Sequence, residues 1–244
     1  MLGLPDGVTA CLFDMDGVVT RTAVVHNAAW KEMFDDYLRQ RSAQTGKEFV
    51  PFDPVRDYDE YVDGKPRLEG TSSFLESRGI SLPTGSPSDP PGTHTIHGLS
   101  NRKNDLVLAA LERDGVEVYP GSTRYIAAVR AAGLHTAIVT SSANTEAVLE
   151  AGGVSDLFDA RVDALLASSR GLRGKPAPDT FLEASRMLGV EPRAAAVVED
   201  ALAGVTAGRA GGFGFAVAVD RVGQEAELRA HGADVVVRDL ADLL

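Results

Sequence analysis

The chain has 244 residues, of which 44% are hydrophobic and 24% charged, values typical of a globular protein of roughly one to two domains. Its net charge of −11 disfavours nucleic acid and anionic membranes as partners, because both repel a negative surface, but leaves small anionic substrates open. A single cysteine, no apolar run of roughly 18 residues and no signal-peptide pattern together predict a soluble, cytoplasmic protein without internal disulfides.

Short apolar runs that alternate with helical stretches dominate the second half of the chain, and one isolated run lies near the N-terminus. The predicted strands are Thr9–Phe13, Thr136–Val139, Ala195–Val198, Phe213–Val219 and Asp234–Val237. The predicted helices are Ser122–Ala132, Thr145–Gly152, Pro178–Leu188, Ala201–Ala210 and Gln224–Ala230. This alternation predicts an α/β fold, a doubly wound parallel sheet of Rossmann-like type with helices on both faces.

The stretch between the first strand and Val118 lacks this alternation of strands and helices. Its first part carries apolar side chains at the spacing of one helix face, namely Trp30, Met33, Phe34, Tyr37 and Leu38. Two further helices are predicted at Gly70–Arg78 and Lys103–Arg113, with a loop at Ser81–Ser100 that is long enough to be functional or mobile. We therefore predict a core of residues 1–20 and 114–244, with an α-helical domain inserted over residues 21–113.

Two acidic residues directly follow the first predicted strand. Asp14 and Asp16 are separated by one residue in the segment FDMDG. Open parallel sheets bind ligands at the carboxyl ends of their strands, so both carboxylates are predicted to face a site. One could act as a nucleophile or metal ligand while the other exchanges a proton. The alternative is an ordinary helix N-cap and turn, in which Asp and Gly are common.

Hydroxyl side chains follow the second predicted strand. Thr140, Ser141 and Ser142 come directly after it, and Asn144 lies two residues further on. Hydroxyls and backbone N–H groups at the start of a helix suit an anion such as phosphate. The same residue types are also ordinary helix N-caps, so this segment alone does not identify a site.

A lysine and two further acids complete the pattern. Lys175 lies in a proline-stiffened segment before a helix, where a solvated surface lysine is the alternative interpretation. Glu199 and Asp200 follow the Ala195–Val198 strand, and two adjacent carboxylates there are costly unless a cation neutralises them. Together with Asp14 they could form an oxygen-ligand Mg²⁺ site.

These segments, taken in order, resemble the motifs of the haloacid dehalogenase superfamily of phosphotransferases. The segment FDMDG resembles motif I, Thr140 motif II, Lys175 motif III and the Glu199–Asp200 pair motif IV. The inserted helical domain resembles the cap domain of that family. The order and spacing of the motifs match over nearly the whole chain, so the resemblance implies a phosphotransferase core with a cap.

The resemblance also implies roles for these residues. Asp14 would attack phosphorus to form an aspartyl-phosphate, and Asp16 would act as general acid and base. Thr140 and Lys175 would hold the transferring phosphoryl group. The implied ligands of Mg²⁺ are Asp14, the backbone carbonyl of Asp16, Glu199 and Asp200.

Segments within and directly before the insertion narrow the resemblance to the β-phosphoglucomutase-like subfamily. They are the run DGVVTRT with His26 and Trp30 after it, the run GKPR that ends at Arg67, and the run RKND around Lys103. The resemblance implies that Thr22 and His26 couple Asp16 to cap closure. It implies that Arg67 grips the distal phosphate of a bisphosphorylated sugar, which suits a guanidinium fork. The implied substrate-binding residues are Thr22, His26, Trp30, Gly64, Arg67, Lys103, Asn104, Ser141, Ser142 and Asn144.

Three functions are consistent with these motifs. The first is a mutase that interconverts β-glucose 1-phosphate and glucose 6-phosphate through a 1,6-bisphosphate. The second is a phosphatase that hydrolyses the same aspartyl-phosphate, formed from a sugar phosphate or related small phosphomonoester. The third is a non-enzymatic phosphoacceptor module, which leaves Asp16 and the insertion unexplained. The expected partner is a small phosphorylated sugar, and the sequence makes no prediction of oligomeric state.

Overall fold

The computed structural model describes residues 2–244, which form two compact units. The first unit, which we call the core unit, contains the residues up to Thr22 together with Val116–Leu244. The second, the inserted unit, is Ala23–Gly115. Within the described residues, every helix is either too short or too polar to span a lipid bilayer. That the inserted unit acts as a cap stays a prediction.

The core unit is built on a parallel sheet of six strands. The strands are β1 (Ala10–Phe13), β2 (His135–Val139), β3 (Ala160–Val162), β4 (Ala195–Glu199), β5 (Phe215–Val219) and β6 (Val235–Val237). Their order in the sheet is β3-β2-β1-β4-β5-β6. The predicted doubly wound α/β fold is therefore confirmed. The sequence prediction was wrong in omitting β3, because Arg161 interrupts a strand of only three residues.

Helices surround the sheet and build the inserted unit. In chain order they are α1 (Thr22–Thr45), α2 (Arg67–Ser77), α3 (Ile96–Asp114), α4 (Pro120–Ala131), α5 (Thr145–Ala151), α6 (Ala164–Arg170), α7 (Asp179–Leu188), α8 (Leu202–Ala210) and α9 (Glu225–His231). Helix α6 was not predicted. Its N-cap is Asp163, whose side chain accepts a hydrogen bond from the Leu166 N–H at 2.8 Å, and an aspartate before an apolar run is a usable signal for a helix start.

The centre of the sheet fixes the position of the site. Strand β1 pairs with β2 on one side and β4 on the other, with Phe13 opposite both Ile138 and Val198. All four residues of β1 are buried, as expected for a strand covered on both faces. The three neighbouring strands therefore end side by side, and the residues that follow them meet at one edge of the sheet.

The two segments that connect the core unit to the insertion pair with each other. Thr20 bridges Val118 in antiparallel orientation. The Arg21 N–H donates to the Glu117 carbonyl at 2.8 Å, one step further along the same pair of segments. The chain therefore leaves the core unit and returns to it along adjacent, hydrogen-bonded segments.

The inserted unit has a core of aromatic side chains. The Phe34 ring stacks against Trp30 at 5.3 Å and against Phe52 at 5.4 Å, and its centroid lies 4.1 Å from that of Phe74. These rings come from α1, α2 and the segment between them, so the amphipathic face predicted for α1 is the face that packs inward. Burial of such rings stabilises a small unit because each covers a large apolar area.

The predicted loop at Ser81–Ser100 is shorter than expected. Helix α3 begins at Ile96, because Thr95 caps it by accepting a hydrogen bond from the Gly98 N–H at 2.9 Å. The remaining loop is ordered around Asp89, whose Oδ2 accepts from the Thr95 hydroxyl at 2.6 Å and from the Ser86 N–H at 3.1 Å. The helix start was hidden by the Gly and Pro residues that precede it.

Cys11 provides a probe of the core unit. Its thiol is fully buried in β1, and burial raises its pKa to about 12. We expect no reaction with a disulfide reagent such as DTNB under native conditions at pH 8, and one full equivalent of labelling in denaturing urea. The unfolded thiol ionises at a lower pH than the folded one, so this group lowers the free energy of unfolding as the pH rises above about 9.

Rapid native labelling, at a rate close to that in urea, would show that β1 is not buried as described. The Cys11→Ala variant gives the blank for the assay, because it removes the one cysteine of the chain.

Candidate active site

Asp14 occupies the first position after β1, at the centre of the sheet edge. Its N–H donates to the Val198 carbonyl at 2.9 Å, which continues the pairing of β1 with β4. Only 7% of the residue is exposed. The sheet thus holds one carboxylate at a fixed point between the ends of β2 and β4.

Lys175 joins the ends of three strands. Its Nζ lies 2.5 Å from Asp14 Oδ1 and 2.6 Å from Glu199 Oε1, and it donates to the Val139 carbonyl at 3.0 Å. The residue is 1% exposed, and its ammonium group also lies over the ring of Phe181 at 4.9 Å. The solvated surface lysine that the sequence left open is therefore the wrong interpretation.

Three buried carboxylates gather around this lysine. Asp14, Glu199 and Asp200 each place an oxygen within 4.8 Å of the others. The second oxygen of Glu199 accepts from the N–H groups of Asp200 and Ala201 at 3.2 and 3.3 Å, which fixes the side chain. Three carboxylates facing one lysine leave an excess negative charge that a divalent cation can balance.

Two glycines provide the space for these carboxylates. A Cβ atom at Gly17 would overlap Oδ2 of Asp200, and one at Gly204 would overlap the carboxylate of Glu199. Gly17 also has φ +87°, a conformation that residues with a Cβ rarely adopt. The donor set is all oxygen and the site is buried, so these residues fit Mg²⁺.

The charged groups of the cluster shift one another's pKa values. Burial raises the pKa of Asp14 well above its usual range; Lys175 opposes the shift, while Glu199 and Asp16 add to it. Burial alone would lower the pKa of Lys175, but the carboxylates of Asp14 and Glu199 outweigh it and raise the pKa. Lys175 is therefore firmly protonated.

Asp16 is held at the start of a short chain of hydroxyl groups. The Thr22 hydroxyl donates to Asp16 Oδ1, and the Thr20 and Thr22 hydroxyl oxygens lie 2.6 Å apart. Thr20 in turn donates to the Met15 carbonyl at 3.1 Å, so the chain closes on the turn that carries Asp16. The structure thus brings Thr22 to Asp16 and adds Thr20, which the sequence motifs did not single out.

The hydroxyl segment follows β2. Thr140 is buried at the end of that strand, and its Oγ1 accepts from the Ser142 N–H at 3.1 Å. Ser142 Oγ accepts from the Asn144 N–H at 3.1 Å, and Asn144 is the residue before α5. Ser141 lies between the two buried hydroxyls. These four residues form a hydrogen-bonded turn beside the end of β1.

Three of the predicted residues of the inserted unit lie together. Lys103 Nζ is 2.7 Å from His26 Nδ1 and 4.8 Å from the centroid of the Trp30 ring. Lys103 is buried, with 4% of the residue exposed. The sequence placed these residues on α1 and α3, but their contact depends on the packing of the two helices.

The other predicted residues of this unit are Gly64, Arg67 and Asn104. Arg67 begins α2, and within residues 2–244 its buried Nε has no hydrogen-bond partner. Burial lowers the pKa of Arg67, an effect partly offset by Asp105. Gly64 is in a turn with φ +69°, and Asn104 follows Lys103 on α3. A buried guanidinium nitrogen without an acceptor suits an anionic ligand.

Comparison with known proteins identifies the class. A profile of the haloacid dehalogenase-like hydrolase family matches residues 8–212. The chain therefore belongs to this family, which confirms the predicted resemblance.

Individual relatives narrow the similarity further. The chain is 56% identical to a β-phosphoglucomutase of Mycobacterium tuberculosis, over all of this chain and 94% of that protein. It is 32% identical to the β-phosphoglucomutase of Bacillus subtilis, over 96% of this chain and 91% of the relative. The crystal structure of a β-phosphoglucomutase from Clostridium difficile matches the fold with a TM-score of 0.75 at 24% identity, covering 97% of this chain and 93% of that one.

Proposed function

We propose that this protein transfers phosphoryl groups through an aspartyl-phosphate on Asp14 and acts as a β-phosphoglucomutase. One observation carries the proposal: the buried Asp14 carboxylate at the end of β1 is held by Lys175 and faces Glu199 and Asp200. This arrangement positions a nucleophile beside the charges needed to stabilise a transferring phosphoryl group. The similarity to β-phosphoglucomutases over the full chain supports the substrate class, a small phosphorylated sugar.

The proposed reaction has two transfers. The phosphate on Asp14 passes to the 6-hydroxyl of β-glucose 1-phosphate; the new P–O bond forms as the bond to the Asp14 carboxylate breaks, and Asp16 accepts the hydroxyl proton. The resulting 1,6-bisphosphate turns around. Asp14 then attacks the 1-phosphate, the bond to O1 breaks, and Asp16 returns its proton to O1. Glucose 6-phosphate leaves and the aspartyl-phosphate is regenerated.

The acidic cluster is proposed to hold Mg²⁺. Asp14, Glu199 and Asp200 would supply carboxylate oxygens, and Asp16 its backbone carbonyl. When bound, the ion would neutralise the excess negative charge of the cluster and that of the phosphoryl oxygens. Thr140 and Lys175 are proposed to contact the same phosphoryl oxygens, with Ser141, Ser142 and Asn144 beside them.

The inserted unit is proposed to be the cap domain, in which His26, Lys103, Asn104 and Arg67 bind the sugar phosphate. The Trp30 ring holds the Lys103 ammonium group through the cation–π contact described above. Gly64 gives the turn before Arg67 its shape. We further propose that the reaction takes place in the cytoplasm, where sugar phosphates and reduced thiols are found.

A single assay tests the proposed function. The protein is incubated with Mg²⁺, β-glucose 1-phosphate and a catalytic amount of the 1,6-bisphosphate, and glucose 6-phosphate and inorganic phosphate are both measured. We expect glucose 6-phosphate to form without a matching release of phosphate. Release of one phosphate for each substrate consumed would instead identify a phosphatase. Phosphorylation of Asp14 by a small donor, without turnover of any phosphosugar, would identify a phosphoacceptor module.

The Arg67→Ala variant separates the mutase function from general phosphatase chemistry. If Arg67 holds the distal phosphate, its removal lowers kcat/KM for the mutase reaction about 10- to 100-fold, the effect of a charge-assisted hydrogen bond. Hydrolysis of 4-nitrophenyl phosphate, which has one phosphate, should change less than about threefold. The matched control is Arg56→Ala, which removes an exposed arginine of the same unit. Equal losses on both substrates would contradict the assignment.

A further inference from the structure

One loop contacts the main chain of both acid-bearing turns. It comprises residues 220–224 (DRVGQ) between β5 and α9, and we call it the β5–α9 loop. Arg221 Nε donates to the Gly17 carbonyl at 2.7 Å, and Gln224 Nε2 donates to the Asp200 carbonyl at 3.4 Å. Gly17 directly follows Asp16, so the loop touches the turn of the general acid and the turn of a proposed metal ligand. Neither residue was singled out by the sequence motifs.

The β5–α9 loop is itself well fixed. One oxygen of Asp220 accepts from three successive N–H groups, those of Val222, Gly223 and Gln224, at 3.2, 2.7 and 2.9 Å. The Asp220 N–H donates to the Val237 carbonyl on β6 at 2.8 Å. An aspartate that accepts hydrogen bonds from several N–H groups of its own loop fixes the backbone conformation of that loop before any ligand binds.

The Arg221 side chain is fixed at three points. Besides Gly17, it donates from Nη1 to the Arg238 carbonyl at 3.0 Å. Its guanidinium carbon lies 3.6 Å from the centroid of the Tyr119 ring. A planar guanidinium can combine two directed hydrogen bonds with stacking on a ring, whereas a lysine ammonium cannot make all three contacts in this geometry.

The Gly17 peptide adjoins two acidic residues, Asp16 in the sequence and Asp200 in space. The Gly17 N–H donates to the Thr20 carbonyl at 2.7 Å, so Gly17 closes the turn that also carries Asp16. The absence of a Cβ at Gly17 is what admits Oδ2 of Asp200. A displacement of this peptide therefore shifts Asp16 relative to Asp14 and disturbs Asp200. A misplacement of about 1 Å in a catalytic group can cost about 100-fold in rate.

We infer that Arg221 is a positioning residue for the general acid Asp16, acting through the Gly17 carbonyl and supported by Asp220 and Tyr119. The inference rests on the proposed function, since it takes Asp14 as nucleophile and Asp16 as acid. Arg221 contacts a carbonyl of the turn, and its role is to hold Asp16 where it can protonate the leaving oxygen. This role goes beyond what the family motifs assign.

The test uses leaving groups that differ in their need for a proton. 4-Nitrophenolate leaves readily without protonation, whereas the less stable phenolate of phenyl phosphate depends more on Asp16. The quantity measured is kcat/KM, which reports the steps up to phosphorylation of Asp14. For Arg221→Met we expect a loss of about 10- to 100-fold on phenyl phosphate and of less than about threefold on 4-nitrophenyl phosphate. Arg221→Lys keeps the charge but not the planar guanidinium group. It should show the same imbalance, a larger loss on phenyl phosphate than on 4-nitrophenyl phosphate, to a smaller degree.

Two further variants make the test decisive. Asp16→Asn sets the scale, because removal of the acid itself must give the larger loss on phenyl phosphate. Arg229→Met is the matched control: it removes an arginine of α9 that pairs with Glu225 on the surface, and both substrates should stay within about twofold of the unmodified protein. Arg221→Lys is also the variant to measure if Arg221→Met does not fold.

The outcomes distinguish the inference from the function it rests on. If Asp16→Asn shows the imbalance and both Arg221 variants lose equally on the two substrates, or lose nothing, the inference is overturned while the proposed function stands. If Asp16→Asn shows no imbalance, the assignment of Asp16 fails, and the inference fails with it. An imbalance in both Asp16→Asn and the Arg221 variants supports the inference.

Discussion

Replacement of Asp14 by asparagine is expected to abolish turnover of β-glucose 1-phosphate, with kcat/KM reduced by about 10⁴-fold or more. An amide has nearly the size of the carboxylate but does not attack phosphorus, and it cannot form the aspartyl-phosphate. The decisive measurement is mass spectrometry of the protein after incubation with a phosphoryl donor. The unmodified chain should gain one phosphoryl group on the peptide that contains Asp14, and the variant should gain none.

The asparagine should not unfold the protein, because it keeps the shape of the side chain and the backbone bond to Val198. The matched control is Asp156→Asn, which changes an exposed aspartate of the core unit and should leave the activity within about twofold. Retained turnover in Asp14→Asn, or a phosphoryl group on another residue, would refute the assignment of the nucleophile.

Replacement of Lys175 by methionine is expected to have the largest effect on stability. The lysine is the buried cation that pairs with both Asp14 and Glu199, so its removal leaves these carboxylates close together without compensation. Loss of one partner from a buried ion pair costs about 3–5 kcal/mol of the free energy of unfolding. Activity should fall by at least about 100-fold as well, because the positive charge at the phosphoryl position is lost.

Urea denaturation followed by circular dichroism measures this loss. Lys47→Met, which changes an exposed lysine of the inserted unit, is the control and should stay within about 0.5 kcal/mol of the unmodified protein. A Lys175→Met variant as stable and as active as the original would mean that the contacts of Lys175 with the two carboxylates contribute nothing. Loss of activity with full stability would mean that Lys175 serves only to bind the phosphoryl group.

The sequence predicted those parts of the fold in which local pattern and tertiary context agree. Strands β1 and β4 are continuous apolar runs because both faces of each are covered, and such runs are visible without a structure. Strand β3 has three residues and lies at the edge of the sheet, where a charged side chain is tolerated. Local patterning therefore carries no signal for it, and its position depends on pairing with β2.

The same distinction applies to the site. The strand-end rule placed Asp14 and Glu199 at the edge of the sheet, since it requires only that a strand ends at or directly before each of them. It could not show that Lys175 reaches both, because that contact depends on the packing of α7 and its preceding segment against the sheet, 161 residues away in sequence from Asp14. The roles of Thr20 and Arg221 are equally hidden, because each acts through a backbone carbonyl, and any residue type can supply one.

The pairing of the two connecting segments determines how freely the insertion between them can vary in length. Because Thr20 and Val118 bridge directly, the ends of the insertion are already joined before the inserted unit contributes any contact of its own. For the core unit, Ala23–Gly115 is equivalent to a loop whose two ends are already held together by this pairing. Doubling the length of such a loop adds only about 0.6 kcal/mol to the entropic cost of closing it. The core unit can therefore accept longer, shorter or entirely different insertions at this point with little loss of its own stability. Under the proposed function, substrate choice can change through the insertion while Asp14, Asp16 and Lys175 of the core unit stay as they are.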